Sequence, residues 1–94
     1  MDFKVALGHT LRLKRLQQNK TMRDMREVCP YISLGYLSEV ERGMNNVSSE
    51  LLETIAEALG VEVYELIRDT ADLMENFEKL SPADFQKEYT DLRR

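Results

Sequence analysis

Thr21-Met22-Arg23-Asp24-Met25-Arg26-Glu27-Val28-Cys29-Pro30-Tyr31-Ile32-Ser33-Leu34-Gly35-Tyr36-Leu37-Ser38-Glu39-Val40-Glu41-Arg42-Gly43 is the stretch whose reading decides the fold. Thr21 is a strong N-cap, because its hydroxyl can accept from an otherwise orphaned amide of the first helical turn. Met22, Met25 and Val28 follow at helical spacing and mark an apolar side, until Cys29-Pro30 stops the pattern. Ser33 then caps a second helix in which Leu37 and Val40 point inward, and Gly43 supplies its left-handed stop. Two short helices therefore flank a turn.

Outward from this pair the periodicity stays helical. Upstream, Val5, Leu7, Leu11 and Leu16 recur between basic residues from Lys4 to Gln18, and Asn19 is suited to the left-handed cap. Downstream, Met44-Asn45-Asn46-Val47 reads as a polar loop. Ser48 caps a helix carrying Leu51, Leu52, Ile55, Ala56 and Leu59, closed by Gly60, and Val63, Leu66 and Ile67 open a fifth helix. Apolar residues continue at Leu73, Met74, Phe77 and Leu80. The pattern restarts at Ser81-Pro82, with Phe85, Tyr89 and Leu92 on its apolar side. No segment alternates with period two, so the expected class is all-α. The expected division is a five-helix domain over residues 1–68 and a helical extension over residues 69–94.

At 94 residues there is room for one core. A net charge of −4 argues against a polyanionic partner until its distribution is counted. Residues 1–47 hold eight basic and five acidic side chains, whereas residues 48–94 hold five and twelve. A polyanion is drawn to the first half and repelled by the second, which sets the orientation of any nucleic-acid complex. No apolar stretch reaches the roughly 18 to 20 residues a membrane span needs. The start Met1-Asp2-Phe3-Lys4 has no signal-peptide apolar region, so the expected location is the cytoplasm. The lone Cys29 has no intramolecular disulfide partner and no companions at zinc spacing, and reads as a core or turn residue. The single histidine, His9, reads as exposed on a polar face beside Thr10, with no nucleophile or orienting group at catalytic spacing. The acidic residues spread along helical faces rather than cluster as ligands. No enzyme activity, cofactor or metal is expected.

Particular residues carry a resemblance: Leu7-Gly8, Leu11-Arg12, Arg15, Thr21, the run Ser33 to Gly43, and Ile55-Ala56-Glu57-Ala58-Leu59-Gly60-Val61. Together they resemble the Xre/phage-repressor helix-turn-helix family over about residues 5 to 67. The run Ser33 to Gly43 with Ser48-Ser49-Glu50-Leu51-Leu52 is most similar to the actinobacterial regulators of Clp protease genes. The resemblance implies a lambda-repressor-like five-helix fold and a transcription regulator that binds double-stranded DNA. It places the third helix, about residues 34–42, in the major groove, with Leu34, Gly35, Ser38 and Glu39 nearest the bases and Tyr36 and Arg42 nearer phosphates. The chemistry is compatible. Glu39 is able to accept from a cytosine amino group, Leu34 to touch a thymine methyl, and Gly35 to let the backbone approach closely. Thr21 with the free amides of Met22 and Arg23 can hold one phosphate, and Asn45 and Asn46 another. The resemblance also pairs Arg15 with Glu41 between the first and third helices, a structural ion pair.

The chain departs from the family pattern in two places. The interval from Thr21 to Ser33 is one residue longer, and Arg26 stands where a small residue is usual in the middle of the second helix. Arg26 is therefore expected to swing outward or to lay its stem along the surface. One such module rarely binds specifically alone, so a two-fold homodimer on a palindrome is expected, with residues 69–94 as the dimerisation segment. The alternative reading is a protein-binding use of the same fold, as in an antitoxin or anti-repressor, with a protein partner at the acidic C-terminal half.

Overall fold

Side-chain caps start the helices where the sequence places them. The computed structural model describes residues 1–79, which form α1 (Phe3–Gln17), α2 (Met22–Val28), α3 (Leu34–Glu41), α4 (Ser49–Leu59) and α5 (Val63–Lys79), with no strand among the described residues. Thr21 accepts from the Asp24 amide and Asp24 returns the favour to the Thr21 amide, a full capping box. Ser33 and Ser48 cap α3 and α4 in the same sense, through the amides of Tyr36 and Leu51. Asn19, Gly43 and Gly60 take positive φ at the helix ends. The all-α, five-helix class expected from periodicity is the class observed.

The core joins Leu7, Leu11, Met25, Cys29, Ile32, Leu37, Val40, Leu52, Ile55, Leu59 and Leu66. Two approaches bring α1 hard against α3. At Gly8, a Cβ would stand 2.5 Å from the Val40 carbonyl oxygen and 2.7 Å from that of Glu41. Gly43, at φ +75°, leaves its missing Cβ 2.8 Å from the Val5 Cα. Arg15 crosses the same seam. Its Nε and Nη2 donate to the two carboxylate oxygens of Glu41 at 2.8 and 3.0 Å, and its Nη1 to the Lys20 carbonyl at 2.7 Å. Both side chains are buried, so the bidentate bond compensates a desolvation that neither charge could bear alone. Gln18 and Lys20 donate to the Leu59 and Ala58 carbonyls and so satisfy the C-terminal end of α4.

Three expectations are corrected. Val28 is 54% exposed, because Met25 and Cys29, four residues apart, face the core and leave Val28 rotated away. His9 is half-buried rather than exposed, and its neighbour Thr10 is fully inside. Thr10 donates to the Ala6 carbonyl at 3.0 Å, and the Thr70 hydroxyl lies 3.1 Å from Thr10 Oγ1 and 2.7 Å from the Leu66 carbonyl. Ile67 points outward while Leu66 and Thr70 seal the core. Helix α5 runs unbroken through residue 68 and is tied back to α1 by Lys14 on Asp69 at 2.8 Å. The expected restart at Ser81-Pro82, with Leu80, Phe85, Tyr89 and Leu92, lies outside the described residues.

Candidate nucleic-acid interface

Helix α3 has one side in the core and one side out. Leu37, Val40 and Glu41 are buried, which by helical geometry turns Gly35 and Glu39 to the opposite side and leaves Ser38 and Leu34, both half-buried, at its rims, Leu34 on the rim next to Glu41. Gly35 is exposed, with nothing within 4 Å of where a Cβ would stand. Its small size is therefore demanded by no neighbour in the chain. Arg42, the exposed C-cap residue, completes this side and directs its Nε at the Ser38 carbonyl at 3.4 Å.

Two flanks carry the remaining candidate donors. On the first, the N-terminus of α2, the amides of Met22 and Arg23 lie in the first turn, where no preceding carbonyl can serve them. The Thr21 amide is occupied by Asp24 at 2.7 Å, and the Thr21 hydroxyl oxygen by the Asp24 amide at 3.1 Å. The Thr21 hydroxyl is engaged by the Asp24 carboxylate as well. Those contacts with Thr21 hold the Asp24 carboxyl below the usual aspartate range, so the flank keeps a negative charge beside its orphaned amides.

On the second flank, the loop after α3, Tyr36 donates its phenolic proton to the Asn46 carbonyl at 2.9 Å. Tyr36, expected near a phosphate, thus uses its one donor within the chain. The Asn45 side-chain amide donates to a Glu39 carboxylate oxygen, and the Met44 amide bonds the Glu39 carbonyl at 2.9 Å. Behind the loop lies a cleft of about 280 Å³ lined by Phe3, Lys4, Gly8, Asn45, Asn46 and Val47 among others. Arg26 is exposed.

Sequence reading misses the Glu39–Asn45 bond and the Tyr36–Asn46 bond, since six- and ten-residue separations across a helix end follow no periodic rule. It also misses that Lys20 is spent on the end of α4. The signal for Lys20 is its place directly before a helix whose own caps are complete. Among the described residues no three metal-ligating side chains come together, and no helix is long and apolar enough to cross a membrane.

Comparison with known proteins follows the same outline. A helix-turn-helix family model matches residues 11–66. The chain is 39% identical over 78 residues to the transcriptional regulator ClgR of Mycobacterium tuberculosis, across 83% of this chain and 69% of that protein. It is 36% identical over 70 residues to the control protein C.MunI of a Mycoplasma species, across 72% of this chain and 92% of that one. Among solved structures, the clp gene regulator ClgR of Corynebacterium glutamicum superposes with a TM-score of 0.75 at 40% identity, over 80% of this chain and 79% of that chain.

Proposed function

The chain belongs to the Xre-like helix-turn-helix family of DNA-binding transcription regulators, and from that premise we propose that it reads a two-fold DNA site as a homodimer, entering the major groove with α3. The observation that supports this reading is the outward side of α3, which offers Gly35 and Glu39 with Ser38 and Leu34 at its rims, together with the donors of the α2 N-terminus and of the loop after α3. Glu39 accepts from a cytosine amino group and Leu34 meets a thymine methyl. Thr21, Met22 and Arg23 on one flank, and Asn45, Asn46 and Arg42 on the other, meet phosphates and set the register. Tyr36 acts with the second flank by holding the loop. The acidic residues of α4 and α5 point the complex away from the polyanion, and the protein works where the chromosome is, in the cytoplasm.

The dimer is held by residues 69–94. Leu73, Met74 and Phe77 of α5 are only half-buried in the single chain, apolar surface that a partner copy covers. Such a contact sets two copies of α3 roughly 34 Å apart, one duplex turn.

Selection of bound duplexes from random DNA tests the reading. One sequence family should emerge, and its affinity should fall by on the order of a thousandfold between about 50 and about 200 mM salt as counterions are released. The full chain should sediment as a dimer, and Met74→Glu combined with Phe77→Glu as a helical monomer without most of the specific affinity. No enrichment over non-specific binding at low salt overturns DNA reading in favour of a protein-binding use of the acidic half.

A further inference from the structure

Glu39 is a carboxylate on the side of the molecule proposed to meet a polyanion, and its surroundings determine whether it can read a base. It belongs to neither the Lys14–Asp69 nor the Arg15–Glu41 ion pair. Arg42, three residues on, turns its Nε to the Ser38 carbonyl instead. The group that does hold Glu39 is Asn45, outside the helix. Because an ionised carboxylate only accepts, the atom Asn45 turns toward it is the amide nitrogen, which carries two protons. One is spent on Glu39. The other remains.

The loop is placed to use it. Tyr36 on the Asn46 carbonyl and the Met44 amide on the Glu39 carbonyl clip the segment to α3 on either side of Asn45, while the cleft behind leaves Asn45 short of close packing. Hydrogen bonds rather than van der Waals contact therefore set where this amide sits. A glutamate side chain left to itself samples several rotamers, and held at one carboxylate oxygen it keeps a fixed position for the second, which is left to accept.

We propose that Asn45 is a positioning residue for base readout: one amide proton holds the Glu39 carboxylate, the other donates to a DNA phosphate, and the aim of Glu39 is thereby tied to the register of the DNA backbone. This rests on the reading of α3 as the groove-entering helix. Its consequence is that a residue touching no base sets a base preference. A simple phosphate contact weakens every sequence alike. A positioning contact erases one preference.

Site selection with the full chain and its Glu39→Ala, Asn45→Ala, Asn45→Asp and doubly substituted Glu39→Ala/Asn45→Ala variants separates the two. Glu39→Ala should abolish discrimination at one base pair of each half-site, a loss between roughly five-fold and a hundred-fold. Asn45→Ala should lose most of the discrimination at that same pair, and the double variant no more than Glu39→Ala alone. Asn45→Asp, which sets a second carboxylate against Glu39, should alter the same position at least as strongly. Asn45→Gln, which keeps the two-proton amide, should restore part of it. Thermal unfolding should be nearly unchanged in all of them, since the loop lies outside the core. Uniform weakening by Asn45→Ala, with the preference at that pair intact, overturns the proposal and leaves the groove reading standing. Should Glu39→Ala itself change no preference, the assignment of Glu39 to the bases falls, and the positioning role with it.

Discussion

The two sides of α3 are built by different physics. The inner side is specified by exclusion: Leu37 and Val40 are packed, Gly8 admits no Cβ against the carbonyls of Val40 and Glu41, and Arg15 has one place to go. The outer side is specified by hydrogen bonds at the surface, Asn45 on Glu39 and Tyr36 on the Asn46 carbonyl, with open space at Gly35. A protein that must hold one helix still while varying what it reads gains from this separation. Substitutions inside should cost stability and leave sequence preference alone, and substitutions outside should do the reverse.

The sharpest break of the inner side is Glu41→Ala. It strands the Arg15 guanidinium, whose side chain is only 9% exposed, without its carboxylate, and the expected loss is about 3 to 5 kcal/mol. For a domain of this size that is much of the whole stability. Urea denaturation is the measurement, and a loss under about 1 kcal/mol would show that the pair is matched by solvent or a neighbour.

Gly8→Ala comes next. The added methyl meets backbone oxygens, which cannot rotate aside, so α1 must move off α3 at a cost of about 1 to 3 kcal/mol. The better helix propensity of alanine recovers somewhat under about 1 kcal/mol of it. A variant as stable as the parent would place the tight seam elsewhere. The surviving folded fraction should select the same DNA sequences as the parent, since nothing on the outer side of α3 has changed.

How much of this was legible in the sequence follows the same division. Caps were readable because Thr21, Ser33 and Ser48 act on amides three residues away, and Asn19, Gly43 and Gly60 because left-handed ends select few residue types. Inner residues followed from period, except where one step of rotation decided, as at Val28 and Ile67. The fate of Thr10 was not readable. Its partner Thr70 is sixty residues away, and a hydroxyl shared between two helices leaves no mark in either pattern. On the outer side, residue types were readable and their mutual contacts were not, because each Glu39, Asn45 and Tyr36 side chain has several polar choices that only the folded loop resolves.

Thr21→Ala sits between the two sides, since the capping box both starts α2 and shapes the flank beside α3. Removing the hydroxyl leaves the Asp24 amide without its acceptor and should cost about 1 kcal/mol. The Asp24 carboxyl, held low first by the Thr21 amide and next by the Thr21 side chain, should rise part of the way toward its ordinary value. Carboxyl chemical shifts followed through an acid titration read this directly. If the Asp24 titration does not move, the side-chain half of the box is not formed in solution.

The smallest expected effect tests the reach of the inner side at its edge, at His9. Burial, and then the positive charge of Arg12, push its imidazole below the ordinary histidine value of about 6.5. The folded protein therefore resists the proton that the unfolded chain accepts. Above about pH 6.5 both states are neutral at this position and the residue adds no pH dependence. As pH falls below that value the unfolded chain binds the proton first, so stability declines until the pH passes the lower folded value, where both states are charged and the decline from this residue stops. Half-burial keeps the effect small, because solvent still screens the charge. Denaturation midpoints at mildly acidic and neutral pH should converge in His9→Gln relative to the parent. An unchanged difference would assign the pH dependence to other groups and leave the imidazole as solvated as the outer side of α3.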